Sequence, residues 1–137
     1  AGGYPAAMPA VPPRPCPCGS NDRYDACCGP LHLGARQAAT AEQLMRSRYS
    51  AYATDDVDYL LRTWHPRTRP DRITPDPSLV WEGLAVTEVV DGGEDDVTGI
   101  VAFTARYRTP DGAGELTERS RFDRRGTRWV YVDGDVA

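Results

Sequence analysis

The sequence has 137 residues, 40% of them hydrophobic, and a formal net charge of −4 from sixteen basic and twenty acidic side chains, which suits one domain with a real core. The acidic balance argues against a nucleic-acid binder that works by bulk electrostatics, and no apolar stretch approaches the roughly 18 residues needed to cross a bilayer. All sixteen cations are Arg, a side chain suited to planar, bidentate contact with carboxylate or phosphate; with no signal-peptide order at the N-terminus, a soluble, cytoplasmic protein is the default expectation.

Residues 1–15, AGGYPAAMPAVPPRP, are small residues and Pro with little to bury, and are expected to be a flexible leader. All four cysteines follow within thirteen residues, as Cys16-Pro-Cys18, then eight residues, then Cys27-Cys28. Disulfides here would tie a short peptide only to itself, and a bridge between adjacent cysteines forces poor geometry. Four unlinked buried or redox thiols are the plain alternative. Zinc explains the spacing better, because it takes about four soft ligands in a tetrahedron with each sulfur ~2.3 Å from the ion. Cys-Pro-Cys supplies two from one tight turn, Gly19 and Ser20 let the chain reverse, and residues 21–26 can form a helical turn that presents Cys27 and Cys28. Arg23 and backbone N–H groups would offset the thiolate charge. A closed set of four protein ligands leaves no open position, so the expected zinc is structural, on a knuckle spanning residues 16–35. His32 is a candidate to replace one thiolate, although an ordinary surface or interface role accounts for it as well.

The remainder, residues 36–137, reads as helices first and strands afterwards. Thr40 and Gln43 make a capping box, and Ala41, Leu44, Met45, Tyr49 and Tyr52 recur at roughly helical spacing, with Arg46, Ser47 and Ser50 largely opposite. A second helix starts at Asp55 or Asp56 with Val57, Leu60, Leu61 and Trp64 as its buried stripe, and Pro66 and Pro70 stop it. Beyond a Pro-rich stretch over 66–77, strands are predicted over 81–90, 97–109, 115–123 and 128–133, separated by turns at Asp91-Gly92-Gly93 and Pro110-Asp111-Gly112. The second strand carries apolar residues at both parities, which predicts a central strand covered on both faces. In the third, Leu116, Ser120 and Phe122 alternate with Thr117, Arg119 and Arg121. In the fourth, Trp129 and Tyr131 face away from Val130 and Val132.

Two helices on a curled antiparallel sheet make an α+β layer architecture, whose concave side would enclose a pocket. Tyr49, Tyr52, Trp64, His65, Arg69 and Trp81 concentrate where the helices end and the sheet begins, and Arg119 and Arg121 can point inward from a strand. One reading makes His65 a general acid/base, Arg69 or Arg119 a clamp for carboxylate or phosphate, and the aromatics the walls. The other makes Trp64 and Trp81 core, pairs the Arg side chains with Glu115, Glu118 and Asp123 across the strands, and ties His65 to a carbonyl at the helix end.

Cys16-Pro-Cys18-Gly19-Ser20, Tyr24 and Cys27-Cys28-Gly29 resemble the SEC-C motif, the zinc-binding tail module of the SecA translocation ATPase, where it is linked to partner binding. Thr40 to Tyr52, Thr63 to Pro70, Glu118 to Phe122 and Trp129 to Gly134 resemble the YchJ-like family of bacterial proteins. That resemblance implies a SEC-C knuckle followed by a nuclear-transport-factor-2-like (cystatin-like) cone. Some relatives carry a second SEC-C motif; no cysteine follows Cys28 in this sequence.

Three functions follow as expectations. The first is a zinc-knuckle adaptor or binding protein, with a protein partner on the knuckle and a small ligand in the cone; by resemblance to SecA the partner would belong to the secretion or translation machinery. The second is a small hydrolase or isomerase using His65. The third, a nucleic-acid-binding knuckle, is disfavoured because Arg14 and Arg23 are set against Asp22 and Asp25.

Overall fold

The computed structural model describes residues 14–137. The expected leader therefore lies outside the described residues except for Arg14 and Pro15, and these two already belong to the knuckle. Pro15 forms an antiparallel bridge with Arg23, and the Tyr24 N–H donates to the Arg14 carbonyl at 2.9 Å. A 3-10 turn over Tyr24–Ala26 leads into helix α1, Cys28–Leu33.

Helix α2 spans Ala41–Ala53. Thr40 caps it from an extended conformation, its hydroxyl accepting from the Gln43 N–H at 3.1 Å. Gln43 reaches back to the Ala39 N–H at 2.6 Å, one residue upstream of the usual capping-box donor. The expected polar side of this helix is not exposed. Ser47 and Ser50 are completely buried, because α1 and the cysteine turn lie over them. Only Arg46 behaves as expected for that side, half-buried and paired with Glu42.

Helix α3, Val57–Arg62, starts on Asp56, whose carboxylate accepts from the Tyr59 N–H at 3.1 Å. It ends before Trp64, which was expected on its buried stripe. The chain instead leaves the helix to run beside the last strand: the His65 N–H donates to Tyr131 O at 2.7 Å, and the Tyr131 N–H donates to Thr63 O at 2.8 Å. These bonds satisfy edge groups that would otherwise be free to pair with another chain.

Four strands, β1 Val80–Asp91, β2 Thr98–Thr109, β3 Gly112–Arg125 and β4 Arg128–Val136, form an antiparallel meander in sequence order. Register shifts at Trp81/Gly83, Val86/Glu88 and Arg121/Phe122 mark the irregularities that bend the sheet. Leu44 of α2, Leu60 of α3, Val101 of β2 and Phe122 of β3 meet in the main core. This is the expected α+β cone, helices on a curled antiparallel sheet.

Strand β2 is covered on one face, not two. On the outer face Ala102 lies in register between Glu88 and Arg119, and the ion pair of those two, at 3.0 Å, spans it. Long side chains thus provide the partial cover that its apolar residues suggested would come from a second layer. Val130 and Val132 of β4 are buried as well as Trp129, since residues 63–68 flank that edge.

Gly92 does more than turn the chain. Its φ of 77° is left-handed, and a Cβ there would sit 2.7 Å from Ala41 Cβ, where the Ala41 N–H donates to Gly92 O at 2.9 Å. The close approach seats α2 on the first hairpin. Gly126 has φ 63° but open space around it. Gly92→Ala is expected to cost about 2–4 kcal/mol, against about 1–2 for Gly126→Ala, because only the former adds a clash to the backbone term. Urea unfolding of the two variants checks the difference. Among the described residues no helix is long and apolar enough to cross a membrane.

Candidate functional site

The cysteine turn is shaped by backbone reversals at Gly19, φ 80°, and Asn21, φ 71°. The Gly19 N–H donates to Cys16 O at 3.2 Å and the Cys16 N–H to Asp22 O at 2.9 Å. These bonds bring Cys16 and Cys18 against Cys27 and Cys28, and all four Sγ atoms lie within 4.8 Å of one another. Cys18 to Cys27 is 3.7 Å and Cys27 to Cys28 is 4.0 Å. A tetrahedron with ~2.3 Å metal–sulfur bonds has an edge of about 3.8 Å, so the separations fit one ion of zinc's size. Cys16, Cys18 and Cys28 are buried and Cys27 is half-buried.

Four thiols this close cannot all ionise unaided. Hydrogen bonding from Cys18 and Cys28 pulls the Cys16 thiol far down, while the Cys28 thiol is driven up by its bonds to Cys16 and Cys18 and by burial. Burial raises Cys27 to about 11. A dication at the centre removes that conflict by holding all four as thiolates. Ser20 Oγ at 3.2 Å from Cys27 Sγ, and Ser50 Oγ at 3.5 Å from Cys16 Sγ, are the surrounding hydroxyls able to donate to them.

His32 is not placed to replace a thiolate. Its Nε2 donates to Ser47 O at 2.8 Å, and its Nδ1 lies 2.6 Å from the Tyr24 hydroxyl, so both ring nitrogens are engaged. It pins the 3-10 turn and α1 onto α2. Arg23 is also turned away from the sulfurs, forming an exposed pair with Asp25. Arg46 is tied to the Cys-Pro-Cys turn, its Nη1 donating to Cys18 O at 2.8 Å.

A cavity of about 260 Å³ lies between α2 and the concave face of the sheet. Of the pocket residues expected from sequence, the structure brings Tyr49, Tyr52, Trp64 and Trp81 together on its wall. Trp81 packs against the rings of Tyr49 and Tyr52 with centroids 5.9 and 6.4 Å away. The other four lie elsewhere. His65 is buried against the Arg67 N–H, which donates to its Nδ1 at 3.0 Å, with Arg125 Nη1 3.2 Å from its Nε2; it does not line the cavity. Arg69 is exposed on the following turn. Arg119 pairs with Glu88, and Arg121 with Asp133 and Asp135, all on the outer face of the sheet.

Two cavity groups were not anticipated. Arg48 is 5% exposed and its guanidinium carbon sits 4.8 Å from the ring centres of both Trp64 and Tyr131. Glu118 does not pair across the strands but accepts from Ser120 Oγ at 2.7 Å and the Tyr131 hydroxyl at 2.9 Å. Burial, with Glu118 beside it, pushes the Tyr131 phenol well above its usual range. A signal for each existed. Arg48 falls four residues after Leu44 and four before Tyr52, on the apolar stripe, and Glu118 shares the parity of Leu116 and Ser120.

Comparison with known proteins agrees with this geometry. The YchJ middle NTF2-like domain matches residues 40–134, and the SEC-C motif matches residues 15–30. A UPF0225 protein of Streptomyces coelicolor is 51% identical over 125 residues, covering 91% of this chain and 98% of its own. One of Bordetella parapertussis is 47% identical over 131 residues, covering 93% and 97%. The solution structure of a SEC-C motif containing protein from Rhodopseudomonas palustris superimposes with TM-score 0.78 at 37% identity, covering 89% of this chain and 98% of that one. A crystal structure of another, from Psychrobacter arcticus, gives 0.73 at 26% identity over 93% and 84%. Cysteine turn and cone thus recur together, in the same order, and the chain belongs to the YchJ-like UPF0225 family of SEC-C motif proteins.

Proposed function

We propose that this chain is a zinc-held binding protein: one structural zinc ion on Cys16, Cys18, Cys27 and Cys28 fixes a wall of the cone, and the cone receives a small ligand. The observation that carries the reading is the convergence of four sulfurs directly behind α2. One side of that helix meets the cysteine turn through Ser50 and α1 through the Ser47 carbonyl, and the other lines the cavity through Met45, Arg48, Tyr49 and Tyr52. A metal there stiffens the helix from behind. Four thiolates saturate a tetrahedral ion, so its part is structural. Mass spectrometry of the intact protein under native conditions tests this; one zinc per chain is expected, absent in Cys27→Ser.

A second reading, a protein partner on the knuckle, is favoured by Leu33, which projects from α1 with 86% of its surface exposed. The SecA resemblance points to secretion or translation components as that partner. Leu33→Asp is expected to weaken binding to such a purified component about tenfold while leaving metal content intact. Unchanged binding would remove this reading. Catalysis by His65 is disfavoured because it is not among the cavity-lining residues and its ring nitrogens face the Arg67 N–H and Arg125, and nucleic-acid binding by the pairing of Arg23 with Asp25.

A further inference from the structure

Arg48 is a buried cation whose hydrogen-bonding capacity is only partly used. Both interactions run through Nη1, which donates to Leu60 O at 2.8 Å and to Thr63 Oγ1 at 2.7 Å. Among the described residues its Nε and Nη2 make no hydrogen bond, and no carboxylate lies within ion-pair distance. Those two nitrogens form the edge of a guanidinium that presents two parallel N–H groups, the spacing that matches the two oxygens of a carboxylate. Trp64 and Tyr131, packed edge-on against each other with centroids 5.1 Å apart, both lie against the guanidinium and hold it in place. Beside it, Trp64 Nε1 is buried without a hydrogen-bond partner among the described residues, and Trp64 also lines the cavity. A buried cation without a counter-charge is costly, and an acceptor group bound on its open edge relieves that cost.

We infer that the cone cavity binds a small planar monocarboxylate, its two oxygens on the free edge of Arg48. The inference rests on the reading of the cone as a ligand chamber and adds the ligand's chemistry. Glu118, also lining the cavity, sets the limit on charge: a carboxylate already present disfavours a dianion such as a phosphate monoester. One of its oxygens is taken by Ser120 and Tyr131, and the other can accept from a hydroxyl or N–H of the ligand. Tyr49, Tyr52, Trp81 and Phe103 supply faces for a flat body. At about 260 Å³ the space falls just below the ~300–1,000 Å³ of drug-sized pockets, so the ligand is small.

The test uses the metal-loaded full chain with 4-hydroxybenzoate, 4-hydroxybenzamide and phenyl phosphate as probes, followed by NMR of the tryptophan indole N–H signals. The benzoate is expected to shift the Trp64 signal and to bind about tenfold more tightly than the amide or the phosphate. Arg48→Lys, which keeps the charge but not the paired donors, should weaken it about tenfold, and Trp64→Phe severalfold. If Arg48→Lys fails to fold, Trp64→Phe and the three-probe ranking still decide. Equal affinity for benzoate and amide, or tight binding of phenyl phosphate, overturns the carboxylate inference and leaves the ligand chamber standing. Failure of all three probes overturns the inference. If indole and benzamide also leave the Trp64 and Trp81 signals unmoved, the chamber reading falls as well.

Discussion

With a metal on the four cysteines as proposed, Cys27→Ser protein is expected to lose it and to unfold at a temperature about 10 °C or more below the parent chain, and chelation of the parent should reproduce both effects. The reason lies in what the knuckle covers. Its own core is the buried cysteines with Tyr24 and Cys27 packed against them, too little to hold a fold without a metal. Yet α1 begins at Cys28, and one turn later Leu31 enters the main core beside Leu44 and Tyr59. His32, next in sequence, bonds α2 through Ser47 O. Release of the sulfurs frees α1 and takes Leu31 out of the core, a loss of at least about 3 kcal/mol by analogy with buried Leu truncations. At roughly 3–5 °C per kcal/mol for a domain of this size, that gives the stated shift. Protons compete with metal for the same thiolates, so this stabilisation is present at neutral pH and is lost on acidification. Calorimetry with and without chelator measures it. An unchanged melting temperature after proven metal loss would show that the knuckle is an independent appendage and would remove the stiffened-helix proposal.

Phe122→Ala should be the most damaging truncation within the cone, at about 3–5 kcal/mol. Phe122 is 1% exposed, sits at the β3 register shift, and meets Tyr131 in an edge-on ring contact with centroids 5.8 Å apart. It belongs to the main core and lines the cavity at once, so the truncation both removes apolar contact and leaves a void. Tyr131 then loses one of the two rings that position it, the other being Trp64 at 5.1 Å. Phe122→Leu should cost less than about 1.5 kcal/mol, because most of the volume is kept. Urea unfolding with an unchanged slope is the measurement, and a loss below about 1 kcal/mol for the Ala variant would mean that the core collapses around the site.

Much of the fold was legible because its signals are local. Thr40 and Asp56 mark both helix starts, and the Asp91–Gly93 and Pro110–Gly112 turns mark the ends of strands read from period-2 alternation. The alternation of Leu116, Ser120 and Phe122 with Thr117, Arg119 and Arg121 was readable for the same reason, but not which set faces inward. The misreadings share one cause. Ser47 and Ser50 were read only as lying opposite the apolar stripe, and that side is covered by α1 and the cysteine turn, which the spacing within the helix does not reveal. Trp64 fitted a helical stripe, but the chain left the helix to satisfy the edge of β4. Arg119 and Arg121 could be placed on a face by parity, and it proved to be the outer face, where acids on neighbouring strands pair with them.

By itself the sequence determined the cluster of four cysteines, the caps of α2 and α3, the order of those helices and the strands, and the class of the fold, since each depends on residues close together in the chain. The tertiary structure decided which of the candidate groups face the cavity, added Arg48 and Glu118 to them, and set which side of α2 meets the knuckle. Arg48 shows why. Its burial depends on Trp64 and Tyr131 packing against it, 16 and 83 residues further along the chain. Closing such long loops is driven by the packing of the whole core, a property no window of the sequence contains.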